Sequence, residues 1–246
     1  MLRVPRSSVF IGLVSDTHGL FDPKLDSLLA GADLILHAGD ICRAAVLQQL
    51  VKLAPVRAIY GNCDVPPLSQ KLPAWRLEQV RGSCVLVLHD LGKPAKPRPP
   101  AKALIEQFRP EVVVSGHSHQ AALEAVQGTL FVNPGSAGPK RFKLVRSAAT
   151  LLFSEAAIVA RVYSLETHAP VQIAQLRFRR TEPGRFTGSA ALPLYRSDPI
   201  ATMGADPLRR KARTAGAGKR MASINRSRRG APRVPAAHPI SPTGDR

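Results

Sequence analysis

Five apolar runs in this chain stop at the same kind of residue. VFIGLVS ends at Asp16 and His18, and DLILH runs into Asp40. VRAIY runs into Asn62, CVLVL into His89, and EVVVS into His117 and His119. Short continuous apolar runs read as strands buried on both faces. A buried carboxylate is costly unless it is paired or holds a metal. A chain that repeats this conflict at successive strand ends is constrained to a fold that gathers those ends.

The spacing between the runs predicts such a fold. Strands over Val9–Ser15, Asp33–His37 and Val56–Tyr60 alternate with helices over Pro23–Ala30 and Arg43–Lys52. Asp22 is a candidate N-cap, with Pro23 at the first helical position. This β-α-β order implies a mostly parallel sheet. Trp75–Val80 and Cys84–Leu88 then read as a hairpin around RGS. A Pro- and Lys-rich loop, a helix over Ala101–Phe108 and a strand over Glu111–Ser115 follow. Two strands flank Gly128, and two more span Thr150–Phe153 and Ala157–Tyr163. Parallel strands first and antiparallel ones later suggest two sheets packed face to face, with helices outside. In α/β folds the carboxyl ends of parallel strands line one crevice, where ligands bind. Residues two apart in an extended chain point the same way. Asp16 with His18, and His117 with His119, can each present a pair to one point.

The donors predict the chemistry. Two carboxylates, four imidazoles and one amide form a mixed N/O set without thiolate, suited to Mn, Fe, Zn, Co or Ni. Seven donors exceed one ion and suit two, if a carboxylate bridges them. Two divalent ions, two Asp and one hydroxide leave a net charge of about +1, which attracts phosphate. The neutral Asn62 keeps the site positive.

Composition bounds the rest. The chain has 246 residues, 44% of them hydrophobic, enough for a real core. No apolar run reaches the length of a membrane span. The first residues read as neither signal nor transit peptide. Three cysteines without paired spacing fit free thiols and a reducing cytoplasm. The formal net charge is +18, and about half of it falls after Arg180. That Pro-, Gly- and Arg-rich segment, 181–246, is expected to be a disordered tail on a domain over 1–180 with its core at about 8–165.

The segments SDTHG, HAGD, YGNCD, LHD, GHSH and NPGS, in this order, resemble the calcineurin-like metallophosphoesterase superfamily, and within it the small bacterial and archaeal phosphodiesterases. The resemblance implies a four-layer α/β/β/α sandwich with a dinuclear metal centre. Asp16, His18, Asp40 and His119 would hold the first metal, Asp40 would bridge, and Asn62, His89 and His117 would complete the second. Manganese leads the expected metals, with Ni, Zn, Fe or Co suited as well. The implied reaction is attack of a metal-bound hydroxide on the phosphorus of a phosphodiester, with no side-chain nucleophile.

Two positions depart from related patterns. Cys63 stands where many phosphatases of the superfamily carry a His tied to leaving-group protonation, and a thiol suits that task poorly. Activated esters are therefore expected to react more readily than alkyl phosphates. Asp90 follows His89 where Gly is frequent; it could change the second site or be a turn residue. Asp64 could shape the turn after Asn62 or orient a ligand. His37 reads as structural, Asn133 as a site support or a turn former, and Cys42 and Cys84 as core residues. His168 carries no assignment. Two other functions remain open: a protein-binding scaffold on the same fold, and a nuclease tethered to nucleic acid by the basic tail. A phosphate ester is the expected substrate; a membrane partner is not expected.

Overall fold

The computed structural model describes residues 8–179. The tail expected to be disordered, 181–246, lies outside the described residues. Two mixed sheets form the centre. The first has the order β13-β12-β11-β1-β2-β3. It comprises β1 (Val9–Val14), β2 (Leu34–His37), β3 (Val56–Ala58), β11 (Ser147–Phe153), β12 (Ala157–Ser164) and β13 (Val171–Arg179). The second has the order β4-β5-β8-β10-β9. It comprises β4 (Trp75–Val80), β5 (Ser83–Leu88), β8 (Val112–Val114), β9 (Ala122–Val126) and β10 (Thr129–Asn133). A short hairpin, β6 (Gly92–Lys93) with β7 (Lys96–Pro97), sits apart in the Pro-rich loop.

Strand direction does not divide between the sheets as chain order suggested. β1, β2 and β3 are parallel, but β11 pairs antiparallel with the free edge of β1. β5, β8 and β10 are parallel, with β4 and β9 antiparallel at the edges. The parallel strands thus end the first sheet, with β3 at its edge, and occupy the centre of the second; all five polar strand ends belong to these parallel strands.

The alternation of side chains builds four layers. Ile11, Leu13, Leu36 and Leu151 of the first sheet meet Val85, Val87, Val114 and Val132 of the second. The outer face of the first sheet packs on α1 (Lys24–Leu28), α2 (Ala44–Leu50) and α3 (Leu68–Lys71) through Leu25, Leu47, Leu50 and Leu68. The outer face of the second packs on α4 (Pro99–Phe108) through Leu86, Val113 and Ala101. Gly12 lets α1 approach: a Cβ there would stand 2.6 Å from Leu29 Cδ2.

Local departures have physical causes. Pro23, not Asp22, stands at the cap of α1, although Asp22 Oδ1 accepts the Lys24 amide at 3.0 Å. α4 begins two residues earlier than expected because Pro99 and Pro100 fit a first helical turn that needs no amide donors. β13 lies beyond the core expected at about 8–165 but within the domain expected over 1–180. Its apolar residues change phase, Val171 and Ile173 against Leu176 and Phe178, across a register shift at Val162/Tyr163. Leu176 and Phe178 pack on the inter-sheet core, while Val171 and Ile173 stay exposed. No helix among the described residues is long and apolar enough to cross a membrane.

Candidate metal centre

The loops after β1, β2, β3, β5 and β8 bring all seven expected donors to one end of the sandwich. Four form a first cluster. One donor atom each from Asp16, His18, Asp40 and His119 lie within 4.8 Å of one another. His119 Nε2 is 3.3 Å from Asp16 Oδ1 and 3.2 Å from His18 Nε2. His18 Nε2 is 3.8 Å from Asp40 Oδ2. A second cluster continues from the other oxygen of Asp40. His89 Nε2 stands 3.4 Å from Asp40 Oδ1 and 3.0 Å from Asn62 Oδ1. Asn62 Oδ1 is 2.9 Å from His117 Nδ1.

The pairs converge for a different reason from the one expected. Asp16, His18, His117 and His119 are not extended but have φ of 52°, 45°, 68° and 59°. Asp40 and Cys42 share this left-handed conformation, at 55° and 62°. In each pair both donors are left-handed, with one residue of ordinary φ between them, so the chain curls instead of running extended. Left-handed backbone at non-glycine residues is strained and persists only where its surroundings over-determine it. Here the surroundings do so. Backbone hydrogen bonds run from Asp16 N to Gly39 O and from His18 N to Asp40 O, at 3.0 and 2.9 Å. Gly116 keeps this packing possible, since a Cβ there would stand 2.7 Å from Asp16 Oδ2 and 3.1 Å from Ala38 O.

A further ring of polar groups orients the donors. Ser15 Oγ and the His117 amide both donate to Asp16 Oδ2, at 2.7 and 3.1 Å. The Cys63 amide donates to Asp40 Oδ1 at 2.8 Å. Burial alone would raise the Asp40 pKa, but hydrogen bonds from His89 and the Cys63 amide outweigh it and hold the carboxyl well below its usual range. Burial opposes the His89 imidazolium, yet Asp40 and the Ala38 carbonyl, 2.7 Å from Nδ1, raise its pKa. Burial lowers the His18 pKa, and the charge of Arg141 lowers it further.

The supporting residues fall into place. Asp64 accepts the amides of Cys42 and Gly61, at 2.6 and 2.8 Å, and so ties the loops after β2 and β3 together. His37 is fully buried between Thr17 Oγ1, 3.1 Å from Nε2, and the Gly39 amide, 3.3 Å from Nδ1. Burial pushes its pKa down to about 4, so it is a neutral prop. Asn133 serves both readings: Nδ2 donates to Gly116 O at 2.8 Å, and Oδ1 accepts the Gly135 amide at 2.9 Å. Asp90 is more than a turn residue, with Oδ2 3.7 Å from His117 Nε2 and Oδ1 3.0 Å from Arg98 Nε. Cys84 is core, as expected.

Cys42 is not a core residue. It is half-buried, and its Sγ stands 3.5 Å from His18 Nδ1. Burial and the nearby Asp64 and Asp40 carboxylates push its thiol up to about 11. Arg141 was not singled out from sequence at all. It lies five residues beyond NPGS, and no local pattern marks it. His168 is exposed beyond the clusters.

The donor spacing fits divalent cations. Metal–ligand bonds of about 2.0–2.2 Å give neighbouring ligands about 2.8–3.6 Å apart, from octahedral to tetrahedral angles. Most separations in both clusters fall at or near this range. His18 Nε2 and His119 Nε2 also face each other with room for one proton at most, an arrangement a cation between them satisfies.

Comparison with known proteins agrees with this architecture. Residues 9–156 match the calcineurin-like phosphoesterase superfamily domain. A probable metallophosphoesterase of Methanothermobacter thermautotrophicus is 30% identical over 138 residues, covering 52% of this chain and 77% of the relative. One from Bacillus subtilis is 28% identical over 161 residues, covering 61% and 88%. Among solved structures, vacuolar protein sorting 29 from Cryptosporidium parvum superposes with a TM-score of 0.61 at 18% identity, over 70% of this chain and 99% of that one. The zinc complex of the Entamoeba histolytica protein of the same name gives 0.58 at 22%, over 70% and 100%. The chain belongs to the calcineurin-like phosphoesterase superfamily. The relatives' names support a phosphoesterase hydrolase that uses divalent metal.

Proposed function

We propose that this protein is a metal-dependent phosphodiesterase with a dinuclear centre. The observation that carries the reading is Asp40, whose two oxygens face the two clusters separately. Asp16, His18, Asp40 and His119 would hold one ion; Asp40, Asn62, His89 and His117 the other. Manganese is the proposed metal, and Ni, Zn, Fe and Co suit the same N/O donors. Divalent ions held there would activate water and offset charge on phosphoryl oxygens.

The chain's own residues do the rest. The Ala38 carbonyl orients the His89 ring, so that Nε2 faces the site. Ser15 and Thr17 hydroxyls are engaged by Asp16 and His37, which favours water over a serine or threonine nucleophile. Arg141 adds positive charge on the His18 side, suited to drawing an anionic ester inward. Burial and the Asp40 carboxylate raise the Cys63 thiol. It is thus a weak acid, and activated esters should outpace alkyl ones. The fold likeness to vacuolar protein sorting 29 carries architecture alone. Seven convergent donors favour an enzyme over a scaffold.

The test is hydrolysis of bis(p-nitrophenyl) phosphate by the metal-stripped chain before and after addition of Mn²⁺. Turnover that appears only with metal supports the reading. A folded protein that stays inert with Mn, Ni, Zn, Fe and Co would overturn it.

A further inference from the structure

A cleft of about 340 Å³ opens directly beside the second cluster. Asn62, His89 and His117 form one side of it. Trp75, Leu88, Pro100 and Leu104 contribute apolar walls. Among the described residues no Lys or Arg lines it; Asp90, the acidic side chain of that lining, is paired with Arg98 across 3.0 Å. Trp75 is held by a tilted ring contact with Phe108, at 5.4 Å between centroids, yet remains 36% exposed. It stands at the start of β4, and Pro100 and Leu104 lie on α4. Rigid elements therefore set the shape of the cleft.

We propose that this cleft receives one ester arm of the substrate, and that the arm is a neutral aromatic ring. The inference rests on the phosphoesterase reading, because a phosphoryl group at the second cluster would aim a substituent into the cleft. The volume suits a single or fused ring. An aromatic face beside apolar walls favours a flat apolar group. A second phosphate or a carboxylate would lose water beside Asp90 and would have to compete with that carboxylate for Arg98. The cleft thereby selects a diester with an aryl arm over one with a small alkyl or a charged arm.

Trp75 is the single tryptophan of the chain, so its fluorescence reports the cleft directly. The full Mn²⁺-loaded chain is titrated with phenylphosphonate and with methylphosphonate. A saturable Trp75 response to phenylphosphonate is expected, with methylphosphonate weaker by about tenfold or more. In parallel, kcat/KM is compared for phenyl and methyl p-nitrophenyl phosphate, which share a leaving group, each divided by its uncatalysed rate. A preference for the phenyl ester of about tenfold is expected. It should fall toward one in Leu104→Glu and in Ala74→Phe, the latter placed at the exposed rim so that folding is not at stake. Equal use of both esters, with fluorescence unmoved, overturns the cleft as a subsite while leaving hydrolysis intact. Saturable quenching by phenylphosphonate without turnover of either ester upholds the cleft and overturns the phosphoesterase reading.

Discussion

The two clusters share Asp40 and little else. Asp16 is wholly buried, His119 nearly so, and His18 about half-buried. All four donors of the first cluster sit on left-handed backbone cross-braced by loop-to-loop hydrogen bonds. In the second, Asn62 and His117 are exposed, and the neutral amide replaces a second carboxylate. Left-handed backbone thus carries every donor of the first cluster but only Asp40 and His117 of the second. Asn62, His89 and His117 also line an open cleft. On the proposed reading, the enclosed cluster would hold its ion firmly and the open one would meet the substrate.

The largest expected effect tests what the clusters share. Asp40→Ala should lower Mn²⁺-dependent hydrolysis about a thousandfold or more, since both ions lose a ligand. Retention of a tenth of the activity would show that the clusters do not depend on a common bridge. Separating them comes next. Asn62→Ala should bind one Mn²⁺ instead of two by calorimetry and lose about a hundredfold in kcat. Two ions still bound with native affinity would remove Asn62 from the centre.

The buried side has its own signature in pH. His37 is neutral when folded, with its pKa held at about 4 against an ordinary 6.5. The unfolded chain binds the extra proton between these values, so stability falls as pH drops through that window and levels off below it. The loss, at most about 3 kcal/mol, should appear as a falling urea midpoint of the metal-free protein. A midpoint unchanged between pH 6.5 and 4 would mean that His37 is not a buried neutral prop. The smallest effect concerns attraction rather than chemistry. Arg141→Ala should raise KM by about threefold to tenfold at low salt, with kcat within about twofold, and the difference should shrink as salt screens it. A kcat loss larger than the KM change would place Arg141 at the reacting atoms instead.

Much of this site was legible because strand ends announce themselves. An apolar run that stops at Asp or His is visible without a structure, and parallel topology sends such ends to one edge. All seven residues that the strand ends single out lie together in the structure. The mechanism of convergence was not. Extended geometry would have aimed the Asp16/His18 and His117/His119 pairs, whereas left-handed turns do so. Sequence seldom signals such turns at non-glycine residues, because tertiary hydrogen bonds impose them. Cys42 escaped for the same reason: a small apolar-like residue after Ile41 reads as core until the turn at Asp40 faces it toward His18. Arg141 and the Trp75 cleft depend on loops and on α4 meeting β4, contacts with no local pattern.

The sequence by itself determined the layer types, the inward faces and the identity of the clustered donors, because burial periodicity and donor chemistry are local properties. Only the tertiary structure decided which sheet edge β11–β13 would join, and which oxygen of Asp40 faces which cluster. It also decided what lies beside the second cluster. These are outcomes of long-range packing, in which backbone hydrogen bonds between distant loops outweigh the strain they impose on each residue.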